Sequence, residues 1–318
     1  MTNVEFIRTL RNEWMERPVK ISVLEGGISN ENFLVEDDKR FYKVRIPGRI
    51  DGLDFFPYYS YYRDGEISDL KALEATNVVW NADTNPMGVI PGVVDYRNDS
   101  KIVIFSYVPG ITSKTEDFTD PKIREDFIVS VKRVHNSCIK FTRTFNVFRE
   151  VERYLNVLNR YRESGRITMD YPMKEFRTLA AAFERELDMD RIKPVPCHND
   201  LLAGNIILSD FGAHIIDFDC GGMNDPRFEL ADFLVENTEA MTERNEDHIL
   251  DLYFGGQKET MRRGVDYYKF MADYLWALWA AIYMNVSPVP FDYDTFARDR
   301  FNRMPKHIQT LKERYSIS

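Results

Sequence analysis

Between Cys197 and Asp219 the chain reads CHNDLLAGNIILSDFGAHIIDFD, and this stretch narrows the possible folds more than any other. Asp200 and Asn205 stand on a polar loop. NIIL, a short turn and HIID then read as a strand pair, with Asp217 and Asp219 at its end. A hairpin brings the far ends of its strands together, so Asn205 comes to face Asp217. An amide oxygen and carboxylates converging there make a hard, oxygen-rich donor set suited to Mg²⁺. Asp200, just upstream, is placed to accept a proton from a substrate hydroxyl. One acid to orient a nucleophile, with an amide and another acid to hold metal on phosphates, is the layout that phosphoryl transfer requires. His198, Asp200 and Asn205 follow the spacing H-x-D-x-x-x-x-N. His198 reads as a structural hydrogen-bonding residue beside that loop.

The rest of the chain supplies a setting for this segment. VKISVLEGGISNENFLVEDDKRFYKVRIPG alternates with period two and predicts an antiparallel meander at about 19–25, 28–36 and 40–46. A helix over 2–16 precedes it, with Val4, Ile7, Leu10 and Trp14 at helical spacing and Pro18 as the stop. A second helix is predicted over 65–76, and a hairpin over 92–108. After Gly110 the pattern turns helical: 120–136, 148–161, 174–187, and again from Pro226 onward. These readings predict an α+β chain with an N-terminal β-rich lobe over 1–105, a hinge at 106–110 and a helical lobe over 111–318. A ligand is expected in the cleft between two such lobes.

Composition removes several function classes. A net charge of −9 argues against nucleic acid as a partner. The N-terminal residues carry charges throughout and lack an apolar leader core, and the apolar run from Tyr274 to Met284 is shorter than the roughly 20 residues of a membrane span. Three scattered cysteines, Cys138, Cys197 and Cys220, form neither a disulfide framework nor a zinc pattern. A soluble, cytoplasmic protein acting on a small molecule is expected.

With these residues in view, CHNDLLAGNIIL followed by IIDFD resembles the aminoglycoside phosphotransferase and choline kinase superfamily. The resemblance implies a bilobal protein-kinase-like fold, with ATP and Mg²⁺ as the nucleotide and metal. Carried onto this chain, it makes Asp200 the catalytic base and Asn205 and Asp217 the magnesium ligands. Asp219 stands where eukaryotic choline and ethanolamine kinases usually have Glu, and the shorter acid leaves its part in a second metal site open. Such a fold also needs a phosphate-facing turn, a strand base and a helical acid to hold the base. EGGISNENF offers the turn, with Gly26 and Gly27 for close backbone approach and Ser29 and Asn30 as donors. FYKVRIPG offers Lys43 and Arg45 on one strand face, and its resemblance to the VRIPG strand of these kinases favours Arg45. YRDGEISDLKAL resembles the helix whose acid pairs with that base, which points to Glu66. In IFSYVPG the backbone of Ser106, Tyr107 and Val108 is positioned to pair with an adenine edge.

The acceptor has to be chosen by another segment. By itself DYLWALWAAIYM, with two of the chain's four tryptophans, reads as a core helix. It also resembles the W-G/A-L-W helix of choline and ethanolamine kinases, where both indoles line the amine pocket. That implies Trp276 and Trp279 turned toward a small cation, with Leu275 and Leu278 in the core. An ammonium over an indole gains about 0.5–2 kcal/mol. Glu236 lies where choline kinases place an acid near the amine, with Asp232 one turn earlier. Resemblance to LicA-type choline kinases around His135 to Phe148 favours choline, whereas Ala277 matches the ethanolamine version. Thiamine or an aminoglycoside remains an alternative acceptor. A kinase-fold binding protein without catalysis is the alternative of another class, and the presence of Asp200, Asn205 and Asp217 speaks against it.

Overall fold

A computed structural model of the chain describes residues 3–24, 30–47, 59–163, 173–256, 259–287 and 290–315. Where one N-terminal helix was predicted there are two, Asn3–Arg8 (α1) and Asn12–Glu16 (α2). The break follows from Thr9, whose hydroxyl donates to the Phe6 carbonyl at 2.7 Å and competes with the next helical turn for that acceptor. Bending there still buries Ile7, Leu10 and Trp14 together on one face of the sheet.

The predicted meander forms as Lys20–Leu24 (β1), Asn30–Asp37 (β2) and Arg40–Pro47 (β3). Helix Tyr59–Leu73 (α3) follows, starting and ending earlier than the sequence pattern predicted. A short parallel pair, Val79–Trp80 (β4) and Ile90–Pro91 (β5), leads into the predicted hairpin of Val93–Arg97 (β6) and Ile102–Ser106 (β7). The sheet runs β1-β2-β3-β7-β6, which makes β3 its centre. Tyr42 and Val44 point into the cluster beneath α1 and α2. Period-two alternation therefore sends Lys43 and Arg45 to the other face, toward α3.

Beyond β7 the chain is mainly helical. Ile111–Thr112 (β8) precedes Pro121–His135 (α4), Val147–Glu163 (α5) and Met173–Met189 (α6). Asp120 caps α4 by accepting from the Lys122 amide, with Pro121 at the first helical position. Val195–Cys197 (β9) enters the polar loop. Ile206–Ser209 (β10) and Gly212–Ile215 (β11) are the predicted hairpin, and Gly222–Asn224 (β12) returns alongside β9. Pro226–Glu236 (α7), Glu243–Phe254 (α8), Glu259–Val286 (α9) and Tyr293–Tyr315 (α10) complete the fold. α9 is the central helix, packed against α5, α6, α7 and α10. Among the described residues, no helix is long and apolar enough to cross a membrane.

Candidate active site

The loop between β9 and β10 is held almost atom by atom. Asn199 adopts a left-handed backbone (φ 67°), a conformation that costs energy for a residue with a side chain and needs surrounding bonds to persist. Those bonds are present. The Asn199 amide donates to Glu229 Oε2 at 2.8 Å, and its side-chain nitrogen reaches the Cys220 carbonyl at 3.0 Å. The next amide, of Asp200, donates to His198 Nδ1 at 3.2 Å, while His198 Nε2 lies 2.8 Å from the Ile216 carbonyl. One neutral tautomer satisfies both contacts: Nε2–H donates and Nδ1 accepts. His198 thus ties the loop to the acidic segment at the far end of the hairpin.

The Asp200 side chain is half-buried, and its carboxyl is pushed up to about 8. Burial is the main cause, and the charges of Glu236, Asp217 and Asp219 add to it. The Asn205 side-chain nitrogen donates to the Asp200 carbonyl at 2.9 Å, which leaves Asn205 Oδ1 available to a cation. Across the hairpin the Ile216 amide donates to the Asn205 carbonyl at 2.9 Å, bringing Asn205 beside Asp217. Asp217 itself is left-handed (φ 69°), the second such residue flanking the chemistry.

Arg45 joins this segment to the sheet. Its side chain is 1% exposed and bonds Glu66 through both terminal nitrogens, one of them at 3.0 Å from Glu66 Oε1. The same guanidinium reaches Asp217 at 3.2 Å and Asp219 at 2.8 Å. Of Lys43 and Arg45, on the same face of β3, Arg45 is therefore the one paired with the α3 acid; Lys43 has no acidic partner among the described residues. Burial pushes the Glu66 carboxyl up to about 8; Arg45 opposes this, and the charges of Asp219 and Asp217 add to it. Ligand oxygens of Glu66, Asp217 and Asp219 lie within 4.8 Å of one another. Three carboxylates around one guanidinium leave an excess of negative charge, and the oxygen-only set fits a hard divalent cation such as Mg²⁺. The buried Arg45 Nε has no partner, so the fork retains a donor.

Gly26, Gly27 and Ser29 lie outside the described residues. Asn30, at the start of β2, reaches Asp219 Oδ2 at 3.4 Å, so this end of the meander lies over the acidic cluster. In the connecting segment the Ser106 amide donates to Gly92 and the Tyr107 amide to Phe41. Both amides are committed to protein acceptors. Among the described residues the Val108 amide has no such acceptor.

On the helical side, Trp276 is buried in the core and donates its indole N–H to Asp232 at 2.7 Å. Trp279 is half-buried, inside a ring of aromatics: Tyr283 at 4.5 Å, Tyr293 at 5.7 Å and Phe296 at 5.8 Å. Glu236 is paired, with Arg300 Nη2 at 2.5 and 2.7 Å from its two oxygens. The Arg300 guanidinium carbon also stands 3.3 Å from the centroid of Phe296. A cavity of about 380 Å³ opens here, lined by Glu236, Glu239, Asp292, Phe296, Asp299 and Arg300 among others. Phe296 lines this cavity and the two tryptophans do not.

Comparison with known proteins agrees with this arrangement. Residues 20–268 match the phosphotransferase enzyme family. The chain belongs to that family. Among curated relatives, protein LicA of Haemophilus influenzae is 23% identical over 264 residues, covering 81% of this chain and 71% of the relative. Ethanolamine kinase 2 of Mus musculus is 24% identical over 328 residues, covering 94% and 79%. Among solved structures, a choline/ethanolamine kinase family protein from Mesorhizobium loti superposes with a TM-score of 0.78 at 22% identity, over 98% of this chain and 97% of the other. Choline kinase LicA from Streptococcus pneumoniae gives a TM-score of 0.73 at 19% identity, over 97% and 100%. The fold is thus that of the kinase-like phosphotransferases.

Within a phosphotransferase of this fold, the sequence reading missed the residues that hold the loop. Glu229 is 1% exposed, and its other oxygen lies 2.9 Å from His135 Nε2, with Tyr253 closing the chain of contacts at 2.6 Å from His135 Nδ1. Nothing in FELADFLVEN marks Glu229 as a loop anchor, because its partners lie 30 and 94 residues upstream. Arg300, the partner of Glu236, was missed for the same reason.

Proposed function

We propose that this phosphotransferase moves the γ-phosphate of ATP to the hydroxyl of a small amino alcohol, with choline as the acceptor. The observation that carries the reading is the convergence of Arg45 and Glu66 on Asp217 and Asp219, beside Asp200 and Asn205. Asp217, Asp219 and Asn205 Oδ1 would hold Mg²⁺, which when bound screens the charge of the phosphates. Arg45 offers the phosphates a fixed fork, and the Val108 amide orients the adenine. Asp200 takes the proton that the acceptor hydroxyl loses as its oxygen bonds to the γ-phosphorus and ADP departs. A cation held by Asp217 and Asp219 would offset two of the charges that raise the Asp200 carboxyl and so favour the ionised form that accepts the proton.

Support for a cationic acceptor comes from the helical side, where Phe296, packed on Trp279, lines a cavity rimmed by Glu239, Asp292 and Asp299 and by Glu236, which Arg300 pairs. Choline is favoured by the aromatic surface and by the relatives called LicA. Ethanolamine is the second reading, because a primary ammonium donates hydrogen bonds that those carboxylates accept. The test is ADP release with choline, ethanolamine, thiamine and kanamycin at equal concentrations. The highest kcat/KM is expected for choline, and preference for thiamine or kanamycin would refute the amino-alcohol reading. Asp200→Ala should lower kcat by about 10²–10⁴-fold while ATP still binds; substantial remaining turnover would remove Asp200 from the role of base.

A further inference from the structure

Asp232 is fully buried on α7, and no cation pairs with it among the described residues. Its two oxygens are divided between two elements. Oδ2 accepts from the backbone amide of Leu201, the residue after Asp200, at 2.8 Å. Oδ1 accepts from the indole N–H of Trp276 on α9, at 2.7 Å. Two N–H donors that face one side chain need two acceptor oxygens. A carboxylate supplies both. An amide supplies one, and turns its own N–H₂ toward the other donor. This demand explains a bare buried carboxylate at a place where burial is costly.

The neighbouring contacts show why the link matters. Asn237, one turn and a residue further along, holds the Leu201 carbonyl at 3.3 Å, and Glu229, three residues before Asp232, holds the Asn199 amide. Asp200 is therefore clamped on both flanks by one face of α7. Of these clamps, Asp232 is the one that also grips α9. We infer that Asp232 is a positioning residue that ties the loop carrying the base Asp200 to α9 and so holds that base in place. The inference rests on the proposed reading of Asp200 as the base.

The experiment combines Asp232→Asn, Trp276→Phe and the double variant, assayed with whichever alcohol the wild type phosphorylates fastest. Asp232→Asn sets an N–H₂ against one of the two donors and is expected to lower kcat at least tenfold, with KM for ATP within twofold of wild type. Trp276→Phe keeps a ring and deletes only the indole donor. In that background the introduced amide can turn its oxygen to Leu201, so the double variant should recover kcat at least threefold over Asp232→Asn alone. Losses that simply multiply, or a wild-type kcat for Asp232→Asn, would overturn the inference. A second readout needs no acceptor: hydrogen exchange at the Leu201 amide should quicken in Trp276→Phe, although the substitution lies far away in sequence. Unchanged exchange there overturns the link by itself, whereas failure of every alcohol in the wild type would overturn only the proposed function.

Discussion

Two aspartates in this fold are driven in opposite directions, and the difference lies in their partners. Asp273 is fully buried on α9. Burial alone would raise its carboxyl, but hydrogen bonds from His307 at 2.7 Å and from Arg303 at 3.0 Å outweigh burial and hold it below the ordinary range. Asp200, facing other acids, is pushed up instead. A depressed carboxyl contributes stability that is present above its unfolded pKa of about 3.9 and is lost as pH falls through the lower folded value. Asp273→Asn should therefore cost about 3 kcal/mol at neutral pH, as when a buried pair loses one partner. Urea unfolding of both proteins should show this gap constant from pH 7 to about 5 and shrinking below about 4. A gap that stays the same down to pH 3 would mean that Asp273 is not the titrating group.

Elements meet at close quarters where α7 crosses α9. A Cβ placed on Gly264 would lie 2.5 Å from Arg227 Nη1 and 2.6 Å from its Cδ. Arg227 cannot move aside cheaply, because it is fully buried and bonded to both Asp190 and Asp225. Gly264→Ala is expected to destabilise the protein by about 1–3 kcal/mol despite the better helix propensity of alanine. A thermal midpoint equal to or above that of the wild type would show that the crossing can relax. At this scale the sequence was most legible. Strands β1 to β3 and the β10–β11 hairpin follow from alternation between turn residues, and the helices after Gly110 from their period. What periodicity cannot convey is which distant group completes a local one. Thr9 ended a helix through its hydroxyl without altering the apolar spacing that suggested a longer one. The indole of Trp276 could be placed on a helical face from the sequence, but its partner Asp232, 44 residues away, could not. The loop carrying Asp200 and Asn205 was legible because its residues are contiguous; its anchors were not, because they sit on α4 and α7.

Over the whole molecule, charge poses a problem that the proposed reaction has to solve. The chain carries a net charge of −9, and ATP would enter beside Glu66, Asp217 and Asp219, which among the described residues share the guanidinium of Arg45. Arg45 and Glu66 come from the sheet side, while Asp217 and Asp219 come from the end of the hairpin on the helical side. A divalent cation bound there would offset repulsion among the carboxylates and between them and the phosphates, and would join the two sides. Nucleotide affinity should accordingly depend on metal. Removing Mg²⁺ with EDTA is expected to weaken ATP binding by calorimetry about 100-fold or more, equivalent to about 2.7 kcal/mol. Asp217→Asn removes one of the repelling charges together with a proposed metal ligand. It should bind metal-free ATP better than the wild type does, lose most of the Mg²⁺ dependence, and fail to turn over. If the wild type bound metal-free ATP as tightly as Mg·ATP, the carboxylates would not be facing the phosphates, and the nucleotide would have to be placed elsewhere in the fold.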